Sequence, residues 1–172
     1  MKPLALITGV GPGTGASVAR RFAAAGYRTA LLARNEKRLN ALASELPDSK
    51  AIVCDVTDSE ALARAVEAAG PVDVVVHNAV GGGWGTFSEI EPEMLENNFQ
   101  VNVMALLHLA RLTTPSMVQA GKGALIVTGN TSALRGRAPF AGFAPTKAAQ
   151  RILAESMARE LGPKGVHVAY LV

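Results

Sequence analysis

The chain is poor in cysteine, in aromatic residues and in long apolar runs. Its 172 residues include one cysteine, and aromatic residues make up 5% of them. A single thiol, Cys54, excludes a disulfide within the chain and is typical of a reducing compartment, so we expect a cytoplasmic protein. No apolar run approaches the length that crosses a bilayer, which argues against a membrane partner.

The charge pattern also argues against nucleic acid as a partner. Lysine and arginine number 17 against 14 acidic residues, which gives a net charge of +3. The basic residues are scattered and are not interleaved with aromatics, as a nucleic-acid surface would require. No cluster of metal-ligating residues stands out, and no metal is expected. The first apolar stretch is short and predicts a strand, not a signal peptide.

Short β-rich runs alternate with helical segments along the whole chain. This pattern is typical of an α/β protein in which helices cover both faces of a parallel sheet. With 49% hydrophobic residues we expect one domain over residues 1–172. Strands are predicted near 4–8, 28–33, 51–54, 72–77, 124–128 and 166–171, and helices near 15–25, 36–46, 59–69, 92–119 and 142–161. Right-handed crossovers predict a Rossmann-type, doubly wound sheet of order 3-2-1-4-5-6, with Asp48 and Asp58 at turns or helix caps.

A glycine-rich segment follows the first predicted strand. It contains Thr8, Gly9, Gly11, Gly13, Thr14 and Gly15, and a helical run with a terminal glycine follows it. Closely spaced glycines let the main chain approach a diphosphate, whose charge then meets the N-terminal N–H groups of the helix. The order of strand, glycine turn and helix therefore predicts a dinucleotide site, with an ordinary surface turn as the alternative.

The end of the second predicted strand indicates which dinucleotide binds. An NAD site places a carboxylate there, whereas this chain has Ala33, Arg34 and Asn35. The guanidinium of Arg34 suits a 2′-phosphate, so NADP(H) is favoured over NAD(H), although Arg34 could instead be a solvated charge. Glu36 is a possible ribose ligand, but stabilising the start of a helix is the simpler role.

Further candidate cofactor contacts follow the third and fourth strands. Asp55 and Val56 end the third strand, and Asp55 is placed to accept a hydrogen bond from adenine or to help cap a helix. Asn78, Ala79 and Val80 follow the fourth strand, where small residues let the backbone pass close to a cofactor. His77 is interpreted as a strand-end side chain and not as a catalyst.

Taken together, these motifs resemble the classical short-chain dehydrogenase/reductase family. The resemblance rests on the glycine turn, Asp55-Val56, Asn78-Ala79-x-Gly81, Asn102 and Lys147. It implies a dinucleotide-dependent oxidoreductase acting on a small-molecule substrate, and a homodimer or homotetramer built on helices 92–119 and 142–161. It also implies a seventh strand beyond residue 172, so we expect the sequence to be C-terminally incomplete.

The catalytic positions depart from that resemblance. The family uses a Tyr four residues before the Lys and a Ser thirteen residues before that Tyr, whereas this chain has Phe143 and Asn130. Lys147 and Asn102 match the family's lysine and helix asparagine. A phenyl ring has no ionisable proton, so Phe143 cannot act as general acid or base. Asn130 keeps an amide N–H that could polarise a carbonyl oxygen, while Lys147 could still bind the cofactor ribose.

Other hydroxyl groups are alternatives for the missing roles. Thr128, Thr131, Ser132 and Thr146 lie near the expected site, although turn and cap hydrogen bonding is their commoner use. Tyr27 and Tyr170 are not expected at the nicotinamide. The resulting hypothesis is an NADP(H)-dependent oxidoreductase with a non-standard site. An NADP(H)-binding pseudoenzyme that acts as a sensor or partner subunit remains the alternative, and a structural assembly module is a weaker one.

Overall fold

A computed structural model describes residues 2–172 and contains a six-stranded parallel sheet. Its strands are β1 (Leu4–Thr8), β2 (Arg28–Ala33), β3 (Ser49–Val53), β4 (Val74–His77), β5 (Gly123–Thr128) and β6 (Val166–Leu171). The strand order is β3-β2-β1-β4-β5-β6, which confirms the predicted topology. The order reverses between β1 and β4, where Thr8 pairs with His77 at the carboxyl ends of both strands. A ligand site is expected at this reversal.

Six α-helices connect the strands. They are α1 (Thr14–Ala24), α2 (Glu36–Glu45), α3 (Ser59–Ala69), α4 (Pro92–Phe99), α5 (Ala105–Ala120) and α6 (Ala144–Leu161). The helix predicted over 92–119 is interrupted, because a π-helical turn over Gln100–Met104 joins α4 to α5. Short 3₁₀ turns at Thr131–Leu134 and Gly162–Lys164 flank α6. Among residues 2–172, no helix is long and apolar enough to span a membrane.

Two predicted strand boundaries are wrong by a few residues. The third strand was predicted over 51–54 but spans Ser49–Val53, because Asp48 turns the chain at φ 52° just before it. The fourth was predicted over 72–77 but begins at Val74. Just before Val74, the side-chain carboxylate of Asp73 accepts a hydrogen bond from the Leu4 N–H at 2.9 Å. A side chain thus takes the place of the main-chain carbonyl that would continue the pairing of β1 with β4.

The core lies in two apolar layers, one on each face of the sheet. Successive strand residues point to opposite faces, so Leu6 packs into one layer and Ile7 into the other. Leu106 and Leu109 of α5 are fully buried in the first layer. These two leucines of the helix predicted over 92–119 therefore pack inside the chain.

Asp58 caps α3, as its position predicted. Its Oδ1 accepts hydrogen bonds from the N–H groups of Glu60 at 3.0 Å and Ala61 at 2.9 Å. These bonds satisfy two N–H groups that the helix itself leaves without partners. The capped helix begins directly after the β3 loop, and so this cap fixes one wall of the carboxyl edge.

We expect Asp58→Ala to lower the free energy of unfolding by about 1 kcal/mol, because both N–H groups lose their acceptor. For a chain of this size the melting temperature should fall by about 2–4 °C. Ser59→Ala is the matched control, since Ser59 follows at the first helical position. Thermal denaturation in which both variants melt alike would contradict the capping role.

Candidate active site at the carboxyl edge

A cavity of about 630 Å³ lies over the carboxyl ends of β1, β2 and β4. This volume falls within the range of small-molecule sites. Most of the predicted cofactor contacts line it, namely Gly9, Gly11, Gly13, Thr14, Gly15, Arg34, Asn35, Asp55, Val56, Asn78, Ala79 and Val80. Thr8 and Lys147 are the two predicted cofactor contacts that do not. The structure therefore brings together residues from four separate loops, which follow β1, β2, β3 and β4.

The glycine turn is shaped partly by packing and partly by open space. A Cβ on Gly9 would lie 2.4 Å from the Ala79 backbone, and one on Gly15 would lie 2.6 Å from the Gly9 carbonyl oxygen. Gly9 also has φ +66°, which other residues rarely adopt. A Cβ on Gly11 or Gly13 would meet nothing within 4 Å. The first pair thus closes the turn, and the second pair leaves room for a ligand.

The N-terminus of α1 opens towards this room. No side chain caps the helix, and its first turn contains no acidic residue. The N–H groups of a first turn have no partner within their own helix, and the helix dipole adds partial positive charge there. The Ala16 N–H donates to the Gly11 carbonyl at 3.0 Å, so the donors left for a ligand are those at the very start of the helix, before Ala16. Such donors form a site suited to an anion, and a dinucleotide diphosphate fits that chemistry.

Thr8 lies beneath the turn and not in the cavity. Its side chain is fully buried, and its Oγ1 accepts hydrogen bonds from the N–H groups of Asn78 at 3.2 Å and Ala79 at 3.3 Å. With both acceptor positions in use, Oγ1 donates its hydrogen to Nδ1 of His77 at 3.1 Å. Thr8, predicted to contact a cofactor, instead joins the ends of β1 and β4.

Two arginines occupy the far end of the cavity. The Arg34 side chain is 81% exposed and lies 3.8 Å from the Asp55 carboxylate. Arg38, one turn into α2, lines the same end, and its N–H donates to Oδ1 of Asn35. The sequence reasoning missed Arg38, although the first turn of a helix that starts directly after the β2 end lies close to that end of the sheet. Hydrogen bonds from Thr57 hold the pKa of Asp55 below its ordinary value.

Lys147 belongs to a buried polar network behind the cavity. It is 2% exposed, and its Nζ donates to the Thr128 carbonyl at 3.1 Å and to Oε1 of Gln150 at 2.9 Å. Gln150 in turn donates from Nε2 to the main-chain carbonyl of Asn102 at 2.6 Å, within the π-helical turn. Burial lowers the pKa of Lys147 from 10.5 to about 8. Gln150 was not predicted as a site residue, because no local sequence pattern marks its role.

The Asn102 side chain is also fully buried and fully bonded. Its Oδ1 accepts from the Gly81 N–H at 3.0 Å, and its Nδ2 donates to the Gly81 carbonyl and to Oγ1 of Thr146. Thr146 donates onward to the Phe143 carbonyl at 2.9 Å. Asn102 thus fixes the loop after β4 and the start of α6, and its amide has no free group to offer a ligand.

Phe143 occupies a buried position beside the network. It is 7% exposed, its ring centre lies 5.6 Å from that of Trp84, and Nζ of Lys147 lies 5.8 Å from the same ring. Trp84 itself is 66% exposed and packs edge-on against Phe140. Its exposure shows that Trp84 is not a core residue.

Asn130 lies apart from the large cavity, at a smaller one beside it. Its Oδ1 accepts from the Ser132 N–H at 2.9 Å, which leaves the amide N–H₂ group free. Tyr170 lies on β6, as predicted, and its hydroxyl donates to the main-chain carbonyl of Lys147 at 3.2 Å. The expectation that Tyr170 does not serve at the nicotinamide stays a prediction.

The chain belongs to the short chain dehydrogenase family. The model of that family matches residues 3–172, nearly the whole sequence. A curated relative, D-erythrulose reductase of Gallus gallus, is 34% identical over 165 residues, which cover 95% of this chain and 67% of the relative. The chain therefore spans about two thirds of the length of the curated relatives it matches.

Two solved structures extend this likeness. A metagenomic short-chain oxidoreductase in complex with NADP has a TM-score of 0.91 at 30% identity, over 98% of this chain and 80% of that one. A short chain oxidoreductase of Pseudomonas aeruginosa PAO1, described as containing an atypical catalytic center, has a TM-score of 0.91 at 28% identity. The match to it covers 98% of this chain and 68% of that one.

His77 provides a test of the buried junction under β1 and β4. Burial, with a smaller contribution from the charge of Lys147, lowers the pKa of His77 from 6.5 to about 4. Between these values the unfolded chain binds a proton that the folded chain does not. Stability that is fully present above pH 6.5 should therefore be lost as the pH falls to 4.

We expect this single group to contribute about 3 kcal/mol to the loss. Chemical denaturation of the protein and of His77→Gln at several pH values measures it, because the other groups titrate in both proteins. The variant starts less stable but should show a shallower decline from pH 6.5 to 4. Parallel declines would show that His77 titrates normally in the fold.

Proposed function

We propose that the protein is an NADP(H)-dependent oxidoreductase that interconverts a carbonyl group and an alcohol on a small-molecule substrate. One observation carries the proposal: a single cavity joins the open glycine turn at α1 to two arginines at the start of α2. A dinucleotide with an extra phosphate has anionic groups at both of these places. Membership of the short chain dehydrogenase family supports the same activity.

The preference for NADP(H) rests on the charges at the end of β2. Ala33 and Arg34 stand where an NAD site would offer a carboxylate. The guanidinium groups of Arg34 and Arg38 suit the 2′-phosphate, and the binding of NADP by the metagenomic relative agrees with this choice. Glu36 is exposed in the first turn of α2, where it stabilises the helix dipole.

The cofactor supplies the hydride when bound, so the protein must orient the substrate and polarise its carbonyl group. Asn130 is suited to that role, because the bond from Ser132 to its Oδ1 holds the amide and leaves N–H₂ to donate. Lys147 can donate its remaining N–H towards the cofactor ribose, and Asn102 acts as a positioning residue through Gly81.

The proton must come from a group other than Phe143. The hydroxyl of Thr128 already donates to Oδ1 of Asn78, and that of Thr146 already donates to the Phe143 carbonyl. Neither hydroxyl therefore has a proton free for the substrate. This leaves water, the substrate itself, or the hydroxyls of Thr131 and Ser132. The Pseudomonas relative is likewise described as a short chain oxidoreductase with an atypical catalytic center.

We also expect a cytoplasmic homodimer or homotetramer. Leu112 of α5 and Ile152 of α6 are 40% and 51% exposed, which gives these two helices apolar surface for a second copy.

Arginine substitutions test the choice of cofactor. Arg34→Ala and Arg38→Ala should each weaken NADPH binding about 10-fold, because each removes charge-assisted hydrogen bonds to a phosphate. NADH binding should change by less than about 2-fold, since NADH lacks that phosphate. Isothermal titration calorimetry of both cofactors measures the effect.

Lys37→Ala is the matched control, because Lys37 lies on α2 between the two arginines but does not line the cavity. Equal affinity of the unaltered protein for NADPH and NADH would contradict the cofactor choice. Failure of both cofactors to bind would contradict the proposed function.

Phe143→Tyr tests whether the site works without a phenol. Phe143 is buried, two N–H groups of Lys147 are already bonded, and the third is assigned above to the cofactor ribose. A new hydroxyl would therefore have no donor to connect it to a proton path. We expect the kcat for carbonyl reduction to stay within about 3-fold or to fall. A rise of about 100-fold, the usual value of general acid catalysis, would instead identify a disabled enzyme. Phe22→Tyr, which adds the same hydroxyl in α1, is the control.

A further inference from the structure

A second, smaller cavity of about 60 Å³ lies beside Asn130. It is lined by Asn130, Thr131, Ser132, Arg135, Arg137 and Phe140. Its volume equals about two water molecules at liquid density, which suits a compact polar group and not a ring. The proposed function uses Asn130 and offers Thr131 and Ser132 as proton sources, but it leaves Arg135 and Arg137 without a role.

Ser132 brings an unsatisfied polar group to this cavity. The residue is 8% exposed, and its Oγ has no hydrogen-bond partner within residues 2–172. A buried hydroxyl without a partner costs about 1–3 kcal/mol. Ser132 lines the cavity, but its Oγ is itself buried, so a rotation about χ1 is needed to turn the hydroxyl towards a ligand oxygen and remove this cost.

Arg135 and Arg137 bring positive charge to the same cavity. The ion pairs described within residues 2–172 occupy other arginines, such as Arg20 and Arg151, and neither cavity arginine has a carboxylate partner within 4 Å. The backbone of Arg135 is extended, at φ −161° and ψ 141°. The side chains of both arginines line the cavity.

We propose that this cavity binds the carboxylate of the substrate. The inference rests on the proposed function, because it places the anion beside Asn130 and hence beside the carbonyl group that Asn130 would polarise. The substrate class is then a short oxo acid, or the hydroxy acid formed from it. Two guanidinium groups and two hydroxyls match the acceptor oxygens of a carboxylate. D-erythrulose, named for the Gallus gallus relative, is a neutral ketose and would leave both arginines unpaired.

The test compares acids with esters of the same carbon skeleton. Calorimetry measures the binding of 3-oxobutanoate and 4-oxopentanoate, and of their methyl esters, to protein saturated with NADP⁺. A ketone cannot turn over against the oxidised cofactor, so binding is read alone. We expect the better acid to bind at least about 10-fold tighter than its ester. The double variant Arg135→Ala/Arg137→Ala should abolish this difference, and Ser132→Ala should reduce the acid affinity several-fold.

Arg111→Ala, an exposed arginine on α5, is the control and should keep the full difference. The double variant must also keep its circular dichroism spectrum and its NADP⁺ affinity, which shows that it folds. Equal binding of acid and ester would overturn the inference. So would a preference that survives loss of both arginines, or tighter binding of D-erythrulose. If NADP⁺ does not bind, the proposed function fails, and the same titrations on the free protein still decide the anion site.

Discussion

The site depends on a close crossing of two backbones at the carboxyl ends of β1 and β4. Gly9 passes so near to Ala79 that a Cβ would overlap the main chain, and the Thr8 hydroxyl joins the two loops from below. Nδ2 of Asn78 closes the crossing from the side, at 2.8 Å from the Gly9 carbonyl oxygen. Because the glycine turn cannot move without breaking these bonds, the start of α1 is held open towards the cavity.

A second buried layer supports the chemistry without touching the large cavity. The π-helical turn frees backbone groups that regular α-helix would use, and Gln150 donates to one of them, the carbonyl of Asn102. Gln150 lies on α6 and also accepts from Lys147. Its side-chain amide therefore joins α6 to the π-helical turn between α4 and α5. The hydrogen-bond partners of Lys147 in this network are neutral. No negative charge among them offsets the burial of its ammonium group, and burial therefore lowers the pKa of Lys147. Rigid support of this kind suits a site that lacks the family's phenol.

The sequence predicted the sheet order and most of the cavity lining, because both follow from local patterns. The glycine turn, the ends of the strands and Arg34 lie in short segments. The backbone geometry of each segment depends on residues close to it in the sequence. The sequence did not predict what depends on long-range packing. Thr8 lies beneath the cavity, Tyr170 reaches Lys147 from β6, and Gln150 bridges two helices. The π-helical turn was missed because the residues of 92–119 have a continuous helical pattern.

The most direct measurement is a crystal structure of the protein with NADP⁺ bound. We expect the diphosphate to lie within hydrogen-bonding distance of the first-turn N–H groups of α1. We expect the 2′-phosphate to lie between Arg34 and Arg38. We also expect Thr8 to stay bonded to Asn78 and His77 beneath the turn. A diphosphate bound elsewhere, or a cavity closed by movement of Asn78 and Ala79, would contradict the central claim.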